Sequence, residues 1–450
     1  MEQLTSDKSL LKTIIKIGLP IALQNFVLTS LNLVDNIMIG SRGEISLAAV
    51  SLSNRIYFIL IISIFGISSG LGMFTSQYFG AKDNENIRKT VGIGLTLAFF
   101  LSFTVSVLTF LFPQQILSVF SKDPLLLLKG SEYLKIVSFS YVPMALGYIF
   151  VYNSRSVHLT KLPMISSIIA LSINTILNYI LINGKLGFPV LDVKGAAIAT
   201  LASRLIETIL LLTLIFRTKD HPLKGTLKQY FSYTFDMFRK MMKKAIPVIV
   251  NEASWSVGMS IYFIAYGVLG TKAVASIQVA LTVSDLFWAG LIGFCNAVAV
   301  IIGNHLGARQ LNSAERIAKK SLQFTFIGSL ILGLIYLLTG RFIASIFNFE
   351  AATINNSINV IAVNAAYMAV KGLNFMLIVG ILRSGGDAKF CMLTEGLTIF
   401  VIGIPLAFLS VYVFKLPVYL CVAVVYFEEV IKLTIVYVRY RSRKWLNVLI

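Results

Sequence analysis

Residues 16–40 read KIGLPIALQNFVLTSLNLVDNIMIG, and this stretch decides what kind of protein the chain can be. It is long and apolar enough to lie across lipid, yet it carries a carboxylate, Asp35, near its far end. An ionisable side chain at membrane depth costs several kcal/mol or more, so it marks a functional site by default. The plainer alternative is an aspartate that has surfaced at the outer interface. Against that alternative, the stretch recurs in altered form at residues 243–267, KKAIPVIVNEASWSVGMSIYFIAYG, and polar partners for Asp35 exist at matching depth.

Working outward, the chain of 450 residues is 57% hydrophobic and only 13% charged, with a mean hydropathy of +0.82. That composition excludes an ordinary soluble domain and makes the bilayer the relevant solvent. The formal net charge of +19 does not point to nucleic acid. Its Lys and Arg sit in short connections between apolar runs, where membrane topology accounts for them. Cys295, Cys391 and Cys421 all fall in apolar segments, and their odd number argues against a disulfide framework. No small-residue cleavage site follows a short apolar core at the N-terminus, so no removable signal peptide is expected.

Twelve runs are long enough to span: 12–40, 47–79, 90–112, 132–153, 163–184, 190–216, 241–267, 273–305, 320–346, 356–382, 389–414 and 416–438. An even number places both termini on one side, and the Lys/Arg bias makes that side the cytoplasm. The longest connection, Arg217 to Lys244, carries eight basic residues together with Phe and Met, the pattern of an amphipathic interfacial helix. The expected division is a six-helix lobe at 1–217, a cytoplasmic linker at 218–240, and a second six-helix lobe with a basic tail at 241–450.

The halves are copies. A shift of 227 carries Lys16, Pro20 and Gly40 onto Lys243, Pro247 and Gly267, and Gly80-Ala81-Lys82 onto Gly307-Ala308-Arg309. Ile116, Ser118 and Phe120 land on Ile343, Ser345 and Phe347. With one inserted residue, Arg155, Ser156 and Lys161 land on Arg383, Ser384 and Lys389. Six spans per copy give both copies the same orientation. The expected fold is therefore an all-α membrane protein with twelve transmembrane helices in two six-helix lobes, related by a pseudo-two-fold axis along the membrane normal. Duplicated bundles of this kind suit transport by alternating access.

Function should concentrate where the register holds but the residue type changes. Asp35 maps to Tyr262, and Asn25 maps to Glu252. In the first copy Asn174 and Asn178 stand four apart on one helical face, and Thr200 lies in the outer half of the next span. One carboxylate, two amides and one hydroxyl make an oxygen-rich site for a hard monovalent cation, or for a proton on Asp35. The same groups also suit a plain inter-helix hydrogen-bond network. In the second copy Glu252, Asp285 and Glu395 form a possible further cation or substrate site. Glu428 and Glu429 with Lys371 and Lys432, and Arg204 with Glu207, read as buried structural ion pairs. Glu252 stands out because its own helix offers it no partner.

Other chemistry is missing. No phosphate-cradling GxxxxGK[ST] occurs, and His158, His221 and His305, read as loop residues, lack zinc spacing. Neither a catalytic nor a metal-binding set is expected, nor an enzyme.

Several motifs together resemble the multidrug and toxic compound extrusion family. They are Leu19-Pro20 with LVDNIMIG (33–40), NTILNYILI (174–182), GAAIAT (195–200), the loops FGAKD and LGARQ, and LRSGGDAKF (382–390) with GIPLAF (403–408). The resemblance covers essentially the whole chain. It implies antiport, in which inward movement of sodium ions or protons drives export of lipophilic, often cationic, drugs or toxic metabolites. It also implies a cation site in the first lobe at Asp35, Asn174 and Thr200. Asn178 stands where sodium-binding members carry a second aspartate, and Glu252 matches the glutamate of their second-lobe site. No cofactor is then needed beyond the coupling ion. The expected partners are a small-molecule substrate, a monovalent cation and the bilayer of the cell membrane, with no nucleic acid, and the chain is expected to act as a monomer. A flippase for lipid-linked precursors is the alternative, with Arg55, Arg204 and Lys371 available to a pyrophosphate.

Overall fold

A computed structural model describes residues 7–346 and 350–450. Phe347 and the side chains of Leu33, Ile343 and Ser345, quoted above for motif or register, lie outside the described residues. The architecture is all-helical, with no strand among the described residues. The first copy forms α1 (Asp7–Gly40), α2 (Glu44–Gly80), α3 (Asn84–Leu111), α4 (Pro124–Ser156), α5 (Lys161–Asn183) and α6 (Asp192–Arg217). The second forms α7 (Phe235–Gly267), α8 (Thr271–Gly307), α9 (Leu311–Ile346), α10 (Ala351–Gly385), α11 (Ala388–Val413) and α12 (Val418–Arg441).

Each apolar run thus becomes one helix, usually extended by a turn or two of polar sequence beyond the lipid. Local chemistry sets the ends. Asp83 caps α3 by accepting the Asn86 N–H at 3.0 Å, and Asp123 caps α4, whose first residue is Pro124. On α9 the exposed residues Ile327, Leu330, Ile331, Leu334 and Leu338 recur at helical spacing, an outward stripe that only lipid accommodates. The first eleven helices are apolar enough to cross a membrane outright. The twelfth carries Glu428, Glu429 and Lys432 inside its span, and it tolerates them because they pair with one another. His305 corrects the sequence reading: it occupies the last turn of α8, where Nδ1 lies 2.8 Å from the Ile301 carbonyl. All three cysteines are free and buried.

The one-residue insertion between the copies has a structural explanation. The 227 shift still holds at the helix starts, Pro124 and Ala351, yet 228 is needed at Arg155 and Arg383, so the extra residue lies within α10. Helix α4 contains a tight 3₁₀ turn at Ser138–Ser140, whereas α10 contains a wide π segment at Met376–Leu382 directly before Arg383. Tight and wide turns change the number of residues per turn without breaking the helix, so the arginine keeps its place.

The chain divides into two compact units. The first comprises Leu23–Thr75 and Lys82–Met242. In it α5 lies along α6 and α3 along α4. The connection between the copies belongs here up to Met242; Leu227–Tyr230 forms a short helix, and the expected helix with its Phe, Met and basic residues is the first part of α7, from Phe235 onward. The short helix docks on α3 so tightly that a Cβ on Gly92 would stand 1.8 Å from the Tyr230 carbonyl oxygen. His221 is buried in this connection, and its Nδ1 accepts the Leu223 N–H at 3.1 Å.

The second unit comprises Met1–Ala22, Ser76–Ala81 and Lys243–Ile450. Its core joins Ile14, Ile17 and Ile21 of α1 to α8, α9 and α10, with Trp445 of the tail fully buried among them. Within it the last turn of α2 crosses the end of α8 at the repeated Gly-Ala pairs. A Cβ on Gly80 would stand 1.9 Å from the Asn304 carbonyl oxygen, and one on Gly307 would stand 1.9 Å from that of Gln77. Small residues allow the backbones to meet there. The buried Gln77 accepts the Leu449 N–H at 2.7 Å and donates to the Ser384 carbonyl at 3.0 Å, holding the C-terminal tail.

Two predictions follow from this packing. Gly307→Leu should separate α2 from α8 and destabilise the protein by about 1–3 kcal/mol, whereas Gly290→Ala, with open space around it, should be neutral or stabilising by up to about 1 kcal/mol. Thermal unfolding in detergent compares them, and equal effects would refute the crossing. Burial lowers the His221 pKa from 6.5 to about 4, so the unfolded connection binds a proton that the docked one refuses. Stability of docking is therefore complete above pH 6.5 and falls as the pH drops toward 4. Proteolytic nicking at 218–226 should accelerate over that range, and His221→Leu should flatten the dependence.

Candidate functional site

The first unit brings Asp35 and the two asparagines together. Asp35 is half-buried on α1, and its Oδ1 accepts the Asn178 amide nitrogen at 2.7 Å. Asn174 and Asn178 are 4% and 1% exposed and face the carboxylate from one side of α5, as the spacing of four requires. The Asn174 amide satisfies the carboxylate in only one of its two orientations. With its oxygen toward Asp35, it accepts from Asn178 at 3.2 Å and donates to Ser203 Oγ at 3.3 Å. That oxygen then stands 3.1 Å from Asp35 Oδ2, which is repulsive unless a proton or cation lies between them. With the nitrogen inward, Asn174 donates to both carboxylate oxygens at 3.1–3.2 Å. The Asn178 Oδ1 is buried without a protein partner.

Thr200, the fourth predicted member, directs its hydroxyl to Tyr133 on α4, and its carbonyl accepts from Ser203 Oγ at 2.9 Å. Tyr133 was not visible as a site residue, because nothing in its own span distinguishes it from other aromatics.

Glu207 is a second carboxylate deep inside the spans of this unit, and Arg204 holds it at 2.8 Å as a structural pair. From that pair a polar line continues through Ser167 (2.6 Å to Glu207), Gln24 (2.7 Å to Ser167) and the buried Arg155 (2.6 Å to Gln24). Asp35 therefore differs from Glu207: it has amides around it but no cation at ion-pair distance among the described residues.

The second unit repeats this frame with more charge. The register carries Gln24, Arg155 and Ser167 onto Asn251, Arg383 and Glu395. Asn251 donates to Glu395 at 2.6 Å, the same amide-to-oxygen bond that Gln24 makes to Ser167. Glu252, which lacked a partner on its own helix, pairs with Arg383 across helices at 2.7 Å. At the position equivalent to Asp35, the Tyr262 hydroxyl donates to Glu428. Lys432 binds Glu428 at 2.8 Å and Glu429 at 3.1 Å, and Asn374 donates to Glu429 at 2.7 Å. A Cβ on Gly403 would overlap both Tyr262 and Glu428, so glycine there is what lets them meet.

Of the three residues expected to form a second-copy site, Glu252 and Glu395 come together around Arg383. Asp285 stands apart: it is exposed on α8 and has no ion pair, with Lys371 as its nearest cation of note. Lys371 itself lies over the Tyr426 ring at 4.4 Å and the Trp288 ring at 5.7 Å. Arg383 and Tyr262 are partners that sequence reasoning passed over. The repeat register was the signal for both, since it already matched Arg155 with Arg383 and Asp35 with Tyr262.

The chain is 25% identical over 419 residues to the uncharacterized transporter YisQ of Bacillus subtilis, covering 92% of this chain and 90% of the relative. It is 22% identical over 411 residues to the probable multidrug resistance protein NorM of Thermotoga maritima, covering 90% and 86%. Among solved structures, an outward-facing multidrug resistance MATE transporter of the MOP superfamily superposes with a TM-score of 0.87 at 19% identity, covering 96% of this chain and 95% of the other. A MOP superfamily transporter from Pyrococcus furiosus, described as having a binding pocket of reverse polarity, gives 0.86 at 19% identity over 96% and 95%. The MatE family model matches residues 20–180 and 247–409, one block in each copy. With both copies matched over most of their spans, the chain belongs to the multidrug and toxic compound extrusion family of transporters.

Proposed function

We propose that this transporter is a secondary antiporter of the cell membrane, with both termini cytoplasmic, that exports lipophilic drugs or toxic metabolites in exchange for protons bound at Asp35. The observation that carries the reading is the isolation of Asp35. Among the described residues, the other carboxylates inside the spans of the first unit, Glu132, Asp192 and Glu207, are each held by a cation, while Asp35 meets neutral amides. A carboxylate locked to arginine cannot exchange an ion, whereas one solvated by neutral amides can.

The donor set favours a proton over sodium. A sodium ion needs several oxygens directed at it, and here the Asn178 nitrogen points at the acid. Loss of the proton leaves a carboxylate that the two amide nitrogens stabilise. Gain of the proton leaves a hydroxyl for Asn174 Oδ1 to accept. Protonation drives a conformational change only through different affinities in the inward- and outward-facing states, and a tenfold difference is worth about 1.4 kcal/mol. In the second unit Glu252, Glu428 and Glu429 carry resident cations, so they serve as structure. Of the cations that the flippase alternative would use, Arg204 is engaged by Glu207 and is not available to a pyrophosphate.

Two outcomes test the reading. In proteoliposomes an imposed pH gradient should drive dye transport in sodium-free buffer, and a sodium gradient at uniform pH should not; the opposite result would assign coupling to sodium. Asp35→Asn should reduce gradient-driven transport to the level of empty vesicles while the protein stays monodisperse on size exclusion. Undiminished transport by that variant would overturn the role of Asp35.

A further inference from the structure

Of the cations Lys371 and Arg383 of α10 and Lys432 of α12, two are spent. Arg383 holds Glu252, and Lys432 holds Glu428 and Glu429. Lys371, just past the midpoint of α10, has no carboxylate within 4 Å and no hydrogen bond among the described residues. Its ammonium instead sits over two aromatic faces, Tyr426 at 4.4 Å and Trp288 at 5.7 Å. Such contacts contribute about 0.5–2 kcal/mol, well short of the several kcal/mol needed to desolvate an ammonium. The amine therefore stays in contact with water, and its three donors remain available to a ligand.

The walls around it are fixed. Trp288 is braced edge-on by Phe375 at 5.9 Å. Tyr426 packs against Tyr367 at 5.6 Å and donates its hydroxyl to Asn364 at 2.8 Å. Lys371, Trp288 and Tyr426 are each half-buried, so the rings present faces while the cation stays reachable. Flat apolar walls beside an unpaired, hydrated cation are complementary to a ring system bearing an anionic group. The exposed Asp285, one helical turn before Trp288, and Glu429 of α12 face Lys371 from beyond ion-pair distance, and both would oppose such a ligand.

We propose that Lys371, walled by Trp288 and Tyr426, is a substrate subsite that binds the anionic group of a ring-bearing amphiphile. The proposal rests on the export reading above and narrows its substrate class. Rhodamine 6G and fluorescein share a xanthene ring but carry opposite charge, so they serve as probes. Anisotropy titration of the purified full-length protein should show fluorescein binding more tightly than rhodamine 6G, a comparison that needs no variant. Lys371→Gln should weaken fluorescein binding by about 10-fold or more, while Lys371→Arg retains most of it. Asp285→Asn should tighten it, and rhodamine 6G binding should be unchanged or tighter in Lys371→Gln. The proposal is overturned if wild type prefers rhodamine 6G, if Lys371→Gln binds fluorescein normally, or if that variant loses both dyes equally. Asp35→Asn separates the two readings, since it should abolish vesicle export of fluorescein while leaving its binding intact. Export that survives that variant refutes the antiport mechanism and not the subsite.

Discussion

A charge inside lipid must find a partner, because hydrocarbon offers none. That constraint orders the polar residues of this protein more than any other. Glu207, Glu252, Glu428 and Glu429 are each matched by a basic side chain within about 3 Å, and the helix carrying the last two spans because of it. Among the described residues Glu395, bonded to Asn251, and the exposed Asp285 also lack an ion pair, and Asp35 and Lys371 carry the functional argument. Asp35 is satisfied by amides, and Lys371 by aromatic faces. Amides and rings stabilise a charge without neutralising it.

Duplication supplied the frame on which the exceptions arose. In both copies an arginine at the end of the fourth span meets polar groups of the first and fifth. The first-span amide donates to the fifth-span oxygen at 2.7 Å in one copy and 2.6 Å in the other. The first copy keeps this frame nearly free of acid, using Gln24 and Ser167. The second adds Glu252 and Glu395, and its arginine becomes half of an ion pair. The carboxylate at Asp35 has become Tyr262, which now donates to a glutamate from the last helix. One scaffold thus holds an acid among amides in one copy and a lysine-paired glutamate in the other.

Conserving that frame required length adjustments inside helices. A 3₁₀ turn in α4 and a π segment in α10 absorb a one-residue difference, and the two arginines remain equivalent. Two further π segments in α11 flank Pro405, which has no N–H to give the helix. The first of them contains Gly403, whose missing side chain admits the Tyr262–Glu428 contact. Irregular turns are therefore placed where polar side chains must be aimed.

Much of this was legible without coordinates. Twelve apolar runs became twelve helices because, in lipid, a backbone satisfies its own hydrogen bonds only as a helix or a closed barrel. The repeat was visible because close helix contacts preserve glycine, as at Gly80 and Gly307. Asp35 was visible because a lone acid in an apolar run is costly, and Asn174 and Asn178 because a spacing of four puts them on one face. The fold class, the repeat and the acid with its two amides are thus local consequences of residue type and period. Tertiary structure alone decided that Thr200 turns to Tyr133, that Glu252 is taken by Arg383, and that Lys371 is left with rings. Those pairings join helices far apart in sequence, and no periodicity within one helix encodes which side chain arrives from its neighbour.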